Sequence, residues 1–304
     1  MIEFNMKILV TGATGFIGSN IAKGLCERGH EVIGIGRNNE ESLEGLNIKL
    51  IKLAFYEVNL KEIGRIDVLF HEAAIVDTAL EDEAKMNYVN CNAAIDLFKG
   101  AIRQGCKKII YASSTAVYGN SRAPFVEGKG EEPLNAYGRS KLNLDIEAMK
   151  LAKENPKTII VGLRYCNVYG PGESHKGKMA NMAYLLTKQI KENNPRLFNY
   201  GEQRRDQIYI KDVVRANLCA MTNAKKSCIV NCGFGKAISF LEMVDTLNKM
   251  LGEKKEVEFI GEPPASFQDH TACDMGLAEK LIGFVPKFDF LKGVKDYYKN
   301  GGLA

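Results

Sequence analysis

The chain has 304 residues, 45% apolar and 26% charged, which excludes a disordered chain, a fibre and a disulfide-stapled miniprotein. Its 41 basic and 37 acidic residues leave a net charge of +4 with no dense basic block, which argues against nucleic acid as a partner. The longest uncharged stretch near the N-terminus, Ile8–Ala22, is glycine-rich and shorter than a membrane span, and no signal-peptide pattern is present, so no membrane partner is expected.

Met1–Asn5 precede a second methionine, Met6, and read as an extension ahead of the fold. Lys7–Thr11 reads as a buried strand, and Phe16–Glu27 as a helix with Ile17, Ile21 and Leu25 on one face. Strands are expected at Glu31–Ile35, Ile48–Leu53, Val68–His71, Lys108–Ser113 and Thr158–Leu163. Long helical patterns cover Glu83–Gln104 and Ala136–Lys153, where the stripes Ile95, Leu97, Phe98 and Ile146, Met149 are expected to pack on the sheet or a subunit interface. This alternation predicts an α/β fold, a Rossmann-type doubly wound parallel sheet covered by helices. After Tyr169 the pattern breaks at Gly170-Pro171-Gly172, and a smaller α/β lobe is expected. The last residues, 301–304, are expected to fray.

The glycines of Val10-Thr11-Gly12-Ala13-Thr14-Gly15-Phe16-Ile17-Gly18 fall at a strand-to-helix turn. Gly12 permits a tight turn, Gly15 a close backbone approach to a pyrophosphate, and Gly18 close packing of helix on strand. The helix N-terminus offers free N–H groups to the anion. A dinucleotide site is predicted, with Gly12, Thr14, Gly15, Phe16, Ile17 and Gly18 at its phosphate end. An acidic residue closing the second strand would select NAD, but that strand ends Gly34-Ile35-Gly36-Arg37-Asn38. Arg37, with Asn38, suits the 2′-phosphate of NADP, which is favoured over NAD.

Tyr137 and Lys141 form a Y-x-x-x-K pair on one helix face, where the ammonium is expected to lower the phenol pKa and make it a general acid/base. Ser114, at the end of the preceding strand, is placed to hold the reacting oxygen. The eight cysteines, Cys26, Cys91, Cys106, Cys166, Cys219, Cys228, Cys232 and Cys273, form no C-x-x-C pair. They read as reduced thiols of a cytoplasmic protein, and no metal site is expected.

In this order and spacing the motifs resemble the extended short-chain dehydrogenase/reductase family, the nucleotide-sugar epimerases and dehydratases. The resemblance takes in His71-Glu72-Ala73-Ala74, Asn90-Cys91-Asn92, Arg164-Tyr165-Cys166-Asn167-Val168-Tyr169-Gly170-Pro171 and Arg205-Asp206-Gln207-Ile208-Tyr209. It implies a Rossmann domain of residues 1–167 with returning segments at about 207–232 and 268–280. The sugar-nucleotide lobe would comprise 168–206, 233–267 and 281–304. It adds Ala73, Ala74, Asn90 and Val168 to the cofactor site, gives Lys141 a hold on the nicotinamide ribose, and implies substrate contacts from Asn167 and Arg205. A nucleotide-diphosphate sugar is the implied substrate and a homo-oligomer the implied assembly.

Dehydratases of the family carry an Asp-Glu pair where this chain has Thr115, Ala116 and Val117, so water loss is not expected. Gly172-Glu173-Ser174-His175-Lys176-Gly177-Lys178 resembles the ADP-glyceromanno-heptose 6-epimerase group, which implies a second acid/base at Lys176. His175 reads as structural or as a supporting residue behind the reacting groups. Pro195-Arg196-Leu197-Phe198 resembles a substrate run of that group and adds Phe198. Lys178, Leu185 and Phe267 stand where the group has serine, histidine and tyrosine, and Lys178 and Phe267 are expected at the substrate. A UDP-sugar 4-epimerase or another nucleotide-sugar epimerase is the alternative. A keto-sugar reductase and a non-catalytic NADP-binding module rank lower.

Overall fold

Short β-branched runs that are apolar at successive positions can be buried only between two covered faces. In the computed structural model, which describes residues 5–76, 82–263 and 268–303, such runs form one sheet. Its strands include β1 (Lys7–Thr11), β2 (Glu31–Ile35), β3 (Ile48–Ile51), β4 (Val68–His71), β5 (Lys108–Ser114) and β6 (Ile159–Tyr165). A seventh strand, Cys228–Cys232, returns from the second half of the chain and pairs with β6. The order across the sheet is Cys228–Cys232, β6, β5, β4, β1, β2, β3, and every pairing is parallel. The expected doubly wound sheet is therefore present.

Among the described residues the α-helices are α1 (Phe16–Cys26), α2 (Leu60–Ile63), α3 (Glu83–Asn87), α4 (Ala93–Arg103), α5 (Ala136–Glu154), α6 (Met182–Glu192) and α7 (Ile210–Asn223), with three more following. Alternate residues of β1 point to opposite faces. Ile8 and Val10 join a core with Ile21, Leu25 and Val213, whereas Leu9 joins one with Phe98, Leu144 and Ala148. Strand order reverses beside β1, and the strands' carboxyl ends form a crevice there. Beyond Tyr165, short ladders build a lobe: Val168–Tyr169 with Ile208–Tyr209, and Arg204–Asp206 with Ala237–Ser239 and His270–Thr271.

Several details differ from the sequence reading. β3 ends at Ile51, two residues before the expected Leu53. The Glu83–Gln104 pattern is one helical course interrupted by a π-helical turn at Tyr88–Asn92. β6 runs two residues further, to Tyr165. Ile146 is 57% exposed and stands off the sheet, as the interface alternative allowed, while Met149 packs against the core of Leu144, Ala148 and Leu151. The tail is tied down, since Leu303 is buried and its carbonyl accepts from Lys191 Nζ at 2.7 Å. Among the described residues, no helix is long and apolar enough to cross a membrane.

Candidate active site

The glycine loop is fixed by close approach. Gly12 has φ +66°, and a Cβ there would lie 2.8 Å from the Ala73 nitrogen. At Gly18 a Cβ would lie 2.1 Å from the Gly12 carbonyl oxygen, so α1 can begin this near β1 only with glycine. Asn39 and Ser42 hydrogen-bond the Thr14 carbonyl and tie the turn after β2 to the loop. Together these elements wall a cavity of about 590 Å³ lined by Gly12, Thr14, Gly15, Arg37, Asn38, Ala73 and Ala74, with Phe55 and His175 among its other residues. Its shape, its glycine floor and the N-terminus of α1 fit a dinucleotide.

Asn135 caps α5 by accepting from the Gly138 N–H at 2.8 Å, which puts Tyr137 in the first turn. Gly138 lets that turn press on the turn that follows β5, where a Cβ would meet the Ala116 carbonyl at 2.7 Å. The Tyr137 phenol hydrogen-bonds the Ser114 side chain, whose Oγ also accepts from the Ala116 N–H. Lys141 is fully buried, with Nζ 5.9 Å from the Tyr137 ring centroid and 2.8 Å from the Ala112 carbonyl it donates to. Burial lowers the Lys141 pKa to about 8, partly offset by Glu72 and Asp145.

One expectation is corrected here. Burial pushes the Tyr137 phenol above its ordinary pKa, the Ser114 hydrogen bond draws it back, and Glu72 pushes it up again. The ammonium is engaged with the Ala112 carbonyl, so four-residue spacing alone does not bring the phenol down in this state.

The Lys176 loop is stapled by a buried carboxylate. Glu173 accepts from the Gly170 N–H at 2.9 Å and from the Asn181 N–H at 2.6 Å, closing both ends. Lys176 is thereby held with Nζ 5.6 Å over the Phe16 ring. Burial lowers its pKa and Glu173 partly restores it.

Residues 8–233 match the NAD dependent epimerase/dehydratase family. The chain belongs to this family. It is 36% identical to an ADP-L-glycero-D-manno-heptose-6-epimerase of Brachyspira hyodysenteriae, over 97% of this chain and 99% of that protein. The Helicobacter pylori enzyme of the same name superposes with a TM-score of 0.89 at 36% identity, covering 97% and 96% of the two chains. A UDP-glucose 4-epimerase of Thermotoga maritima, solved with UDP-glucose, superposes at 0.87 with 27% identity, covering 97% and 99%.

Within this epimerase/dehydratase frame the remaining expected residues divide. Phe16 faces Lys176, while Ile17 packs on the core and Gly18 under the loop. Asn90 lies in the π turn and clamps Ile75 through its N–H and carbonyl, so it shapes the cavity wall from behind. Asn167 (φ +42°) donates to the Asp206 carbonyl at 2.8 Å, and Val168 pairs with Ile208, so both join sheet to lobe. Arg205 is 8% exposed, lies against the Phe240 ring and donates to the carbonyls of Arg204 and Asp269, inside the lobe. Lys178 is exposed and Phe198 half-buried. Phe267 lies outside the described residues.

Several residues lining the cavity escaped the sequence reading, Phe55 and His175 among them. His175, read as structural or as a residue behind the site, lines the cavity beside the glycine loop. Phe55 lines it from beyond β3, a strand end that carries no motif. Cys166, Asp206 and Cys273 converge in the interior, but the Asp206 oxygens already accept from the N–H groups of Phe234, Gly235 and Cys273, so the cluster reads as a structural clamp.

Proposed function

We propose that the protein is a nucleotide-sugar epimerase acting by transient oxidation, with an ADP-glyceromanno-heptose as substrate and C6 as the reacting carbon. One observation carries this reading. Two acid/base candidates, Tyr137 on α5 and Lys176 on the stapled loop, stand on separate elements at the carboxyl edge of one sheet. Inversion through a ketone needs a proton acceptor for one epimer and a donor for the other. A bound nicotinamide supplies the reversible oxidation. Tyr137 takes the hydroxyl proton, Ser114 holds the same oxygen, and Lys176 returns a proton after the ketone has turned over. The 36% identity to heptose epimerases supports the substrate.

The cofactor is proposed to be NADP. Arg37 is exposed at the cavity, and no carboxylate closes β2. Arg37→Ala should weaken NADP binding about tenfold and leave NAD unchanged, measured by fluorescence titration. An equal loss for both would return the choice to NAD. We place the protein in the cytoplasm as a homo-oligomer; exposed Tyr88 and Ile146 support an interface.

The deciding experiment incubates the protein with ADP-D-glycero-D-manno-heptose, UDP-glucose or UDP-N-acetylglucosamine without reductant and reads the products by NMR. Conversion of the heptose alone bears out the proposal. Exposed Lys178 and half-buried Leu185, where the heptose group has serine and histidine, favour a UDP-sugar 4-epimerase as the second reading. Conversion of a UDP sugar alone would establish it. With the active substrate, Lys176→Met should slow turnover about 10²-fold in both directions. Unchanged turnover would remove Lys176 from the mechanism.

A further inference from the structure

The end of β2 lies against the glycine loop with no room for a side chain. Gly36 follows Ile35, and a Cβ there would lie 2.4 Å from Thr14 Oγ1, 2.7 Å from its Cγ2 and 3.0 Å from its Cβ. Both branches of the threonine therefore face Gly36. Turning χ1 to another staggered well leaves one branch still facing it, so rotation does not open the space. Both backbones are held. The Ala13 N–H donates to the Ile35 carbonyl at 3.0 Å, and the Gly36 N–H to the Ile51 carbonyl at 3.1 Å. The Thr14 carbonyl accepts from Asn39 Nδ2 at 3.0 Å and from Ser42 Oγ at 3.2 Å. Thr14 is buried, yet it lines the dinucleotide cavity together with Gly36, Arg37 and Asn38. Residues 36–39 hold no carboxylate, and Glu40, the first after β2, pairs with Lys52 Nζ at 2.6 Å.

In a dinucleotide fold, an acidic side chain that closes the second strand binds the ribose 2′-hydroxyl. Position 36 is that place, and Thr14 occupies the volume an acidic side chain would need there. We propose that the Thr14–Gly36 contact determines which nicotinamide cofactor the site takes: it shuts out the carboxylate that would select NAD and leaves Arg37 to meet a 2′-phosphate. The assignment deepens the NADP reading above and rests on it. The two residues act differently. Arg37 attracts a phosphate by charge. A carboxylate at position 36 would accept from the ribose hydroxyl and repel the phosphate, so its absence moves the two affinities in opposite directions. Thr14 enforces that absence, because an acid at position 36 does not fit until the threonine is cut back. Exchanging the cofactor preference therefore takes both positions together.

Cofactor binding tests this without knowledge of the sugar. The full chain, freed of resident nucleotide, is titrated with NADPH and with NADH, whose nicotinamide fluorescence reports binding. The parent should prefer NADPH. Gly36→Asp alone should weaken both about tenfold, because the added side chain displaces the loop that carries Thr14. Thr14→Ala leaves only the 3.0 Å contact to Cβ, which a small shift relieves. Thr14→Ala with Gly36→Asp should therefore raise the NADH affinity about tenfold above the parent's while NADPH stays weak, so that the preference reverses. Gly36→Ala adds a Cβ and no charge. It should weaken both cofactors alike, and Thr14→Ala in that background should recover both; this pair reads the contact even where the aspartate variant does not fold. A gain of NADH affinity in Gly36→Asp alone, or parent-like binding of both cofactors in Gly36→Ala, overturns the assignment and leaves NADP as the cofactor. A double aspartate variant that folds and still prefers NADPH has the same consequence. A parent that prefers NADH overturns the NADP reading and the assignment with it.

Discussion

Tyr137→Phe should lower turnover about 10²- to 10⁴-fold, the range that a positioned acid/base contributes, and leave cofactor affinity within twofold. The substitution removes one oxygen. The ring stays on the first turn of α5, where the Asn135 cap and the close approach of Gly138 hold it. Lys141 keeps its bond to the Ala112 carbonyl, and Ser114 keeps the Ala116 N–H. None of the residues named as lining the cavity changes. The loss should thus fall on the chemical step, not on binding. Product NMR with the active sugar nucleotide gives the rate, and quenching of bound cofactor gives the affinity. Turnover within tenfold of the parent would exclude the phenol as acid/base.

The legible parts of this molecule are those whose cause is local. The glycine spacing from Gly12 to Gly18 reads directly because a strand-to-helix turn near an anion tolerates no side chain there. Tyr137 and Lys141 read from helix geometry. The phenol's ionisation does not, because it is set by partners far along the chain: Lys141 is engaged by Ala112, 29 residues upstream, and the opposing charge sits on Glu72. A charged residue after an apolar strand reads as a solvated turn. Only the contact with Tyr165, 93 residues later, turns it inward. The C-terminal tail departs from expectation for the same reason, since Lys191, 112 residues before Leu303, ties it down. Neither glycine nor proline stands between Glu83 and Lys99, so the π turn that aims Asn90 at Ile75 leaves no mark in the helical pattern.

Asp145→Ala should destabilise the fold by about 3–5 kcal/mol, the usual result of stripping one partner from a buried ion pair. Asp145 is one turn beyond Lys141 on α5, and Arg164 lies on β6; they are 1% and 2% exposed. Arg164 Nε donates to Asp145 at 2.9 Å, and the buried Tyr111 hydroxyl donates to its other oxygen at 2.9 Å. Alanine leaves that phenol without its acceptor and the guanidinium without its buried carboxylate; Tyr118 and Glu131 remain to Arg164. The intact pair is itself no strong source of stability. Burial pushes the Asp145 carboxyl above its ordinary pKa in spite of the adjacent cation, so desolvation outweighs attraction. A double variant, Asp145→Leu with Arg164→Met, should therefore recover much of the loss, and urea unfolding of the single and double variants measures the coupling. The same network docks α5 onto β5 and β6, which fixes where Tyr137 and Lys141 meet Ser114. Turnover of Asp145→Ala should accordingly fall even at temperatures where it is folded, because a small displacement of the acid/base relative to the reacting oxygen is costly. A single variant less than about 1 kcal/mol below the parent, turning over normally, would show that Arg164 is held by its other partners and that α5 needs no such anchor.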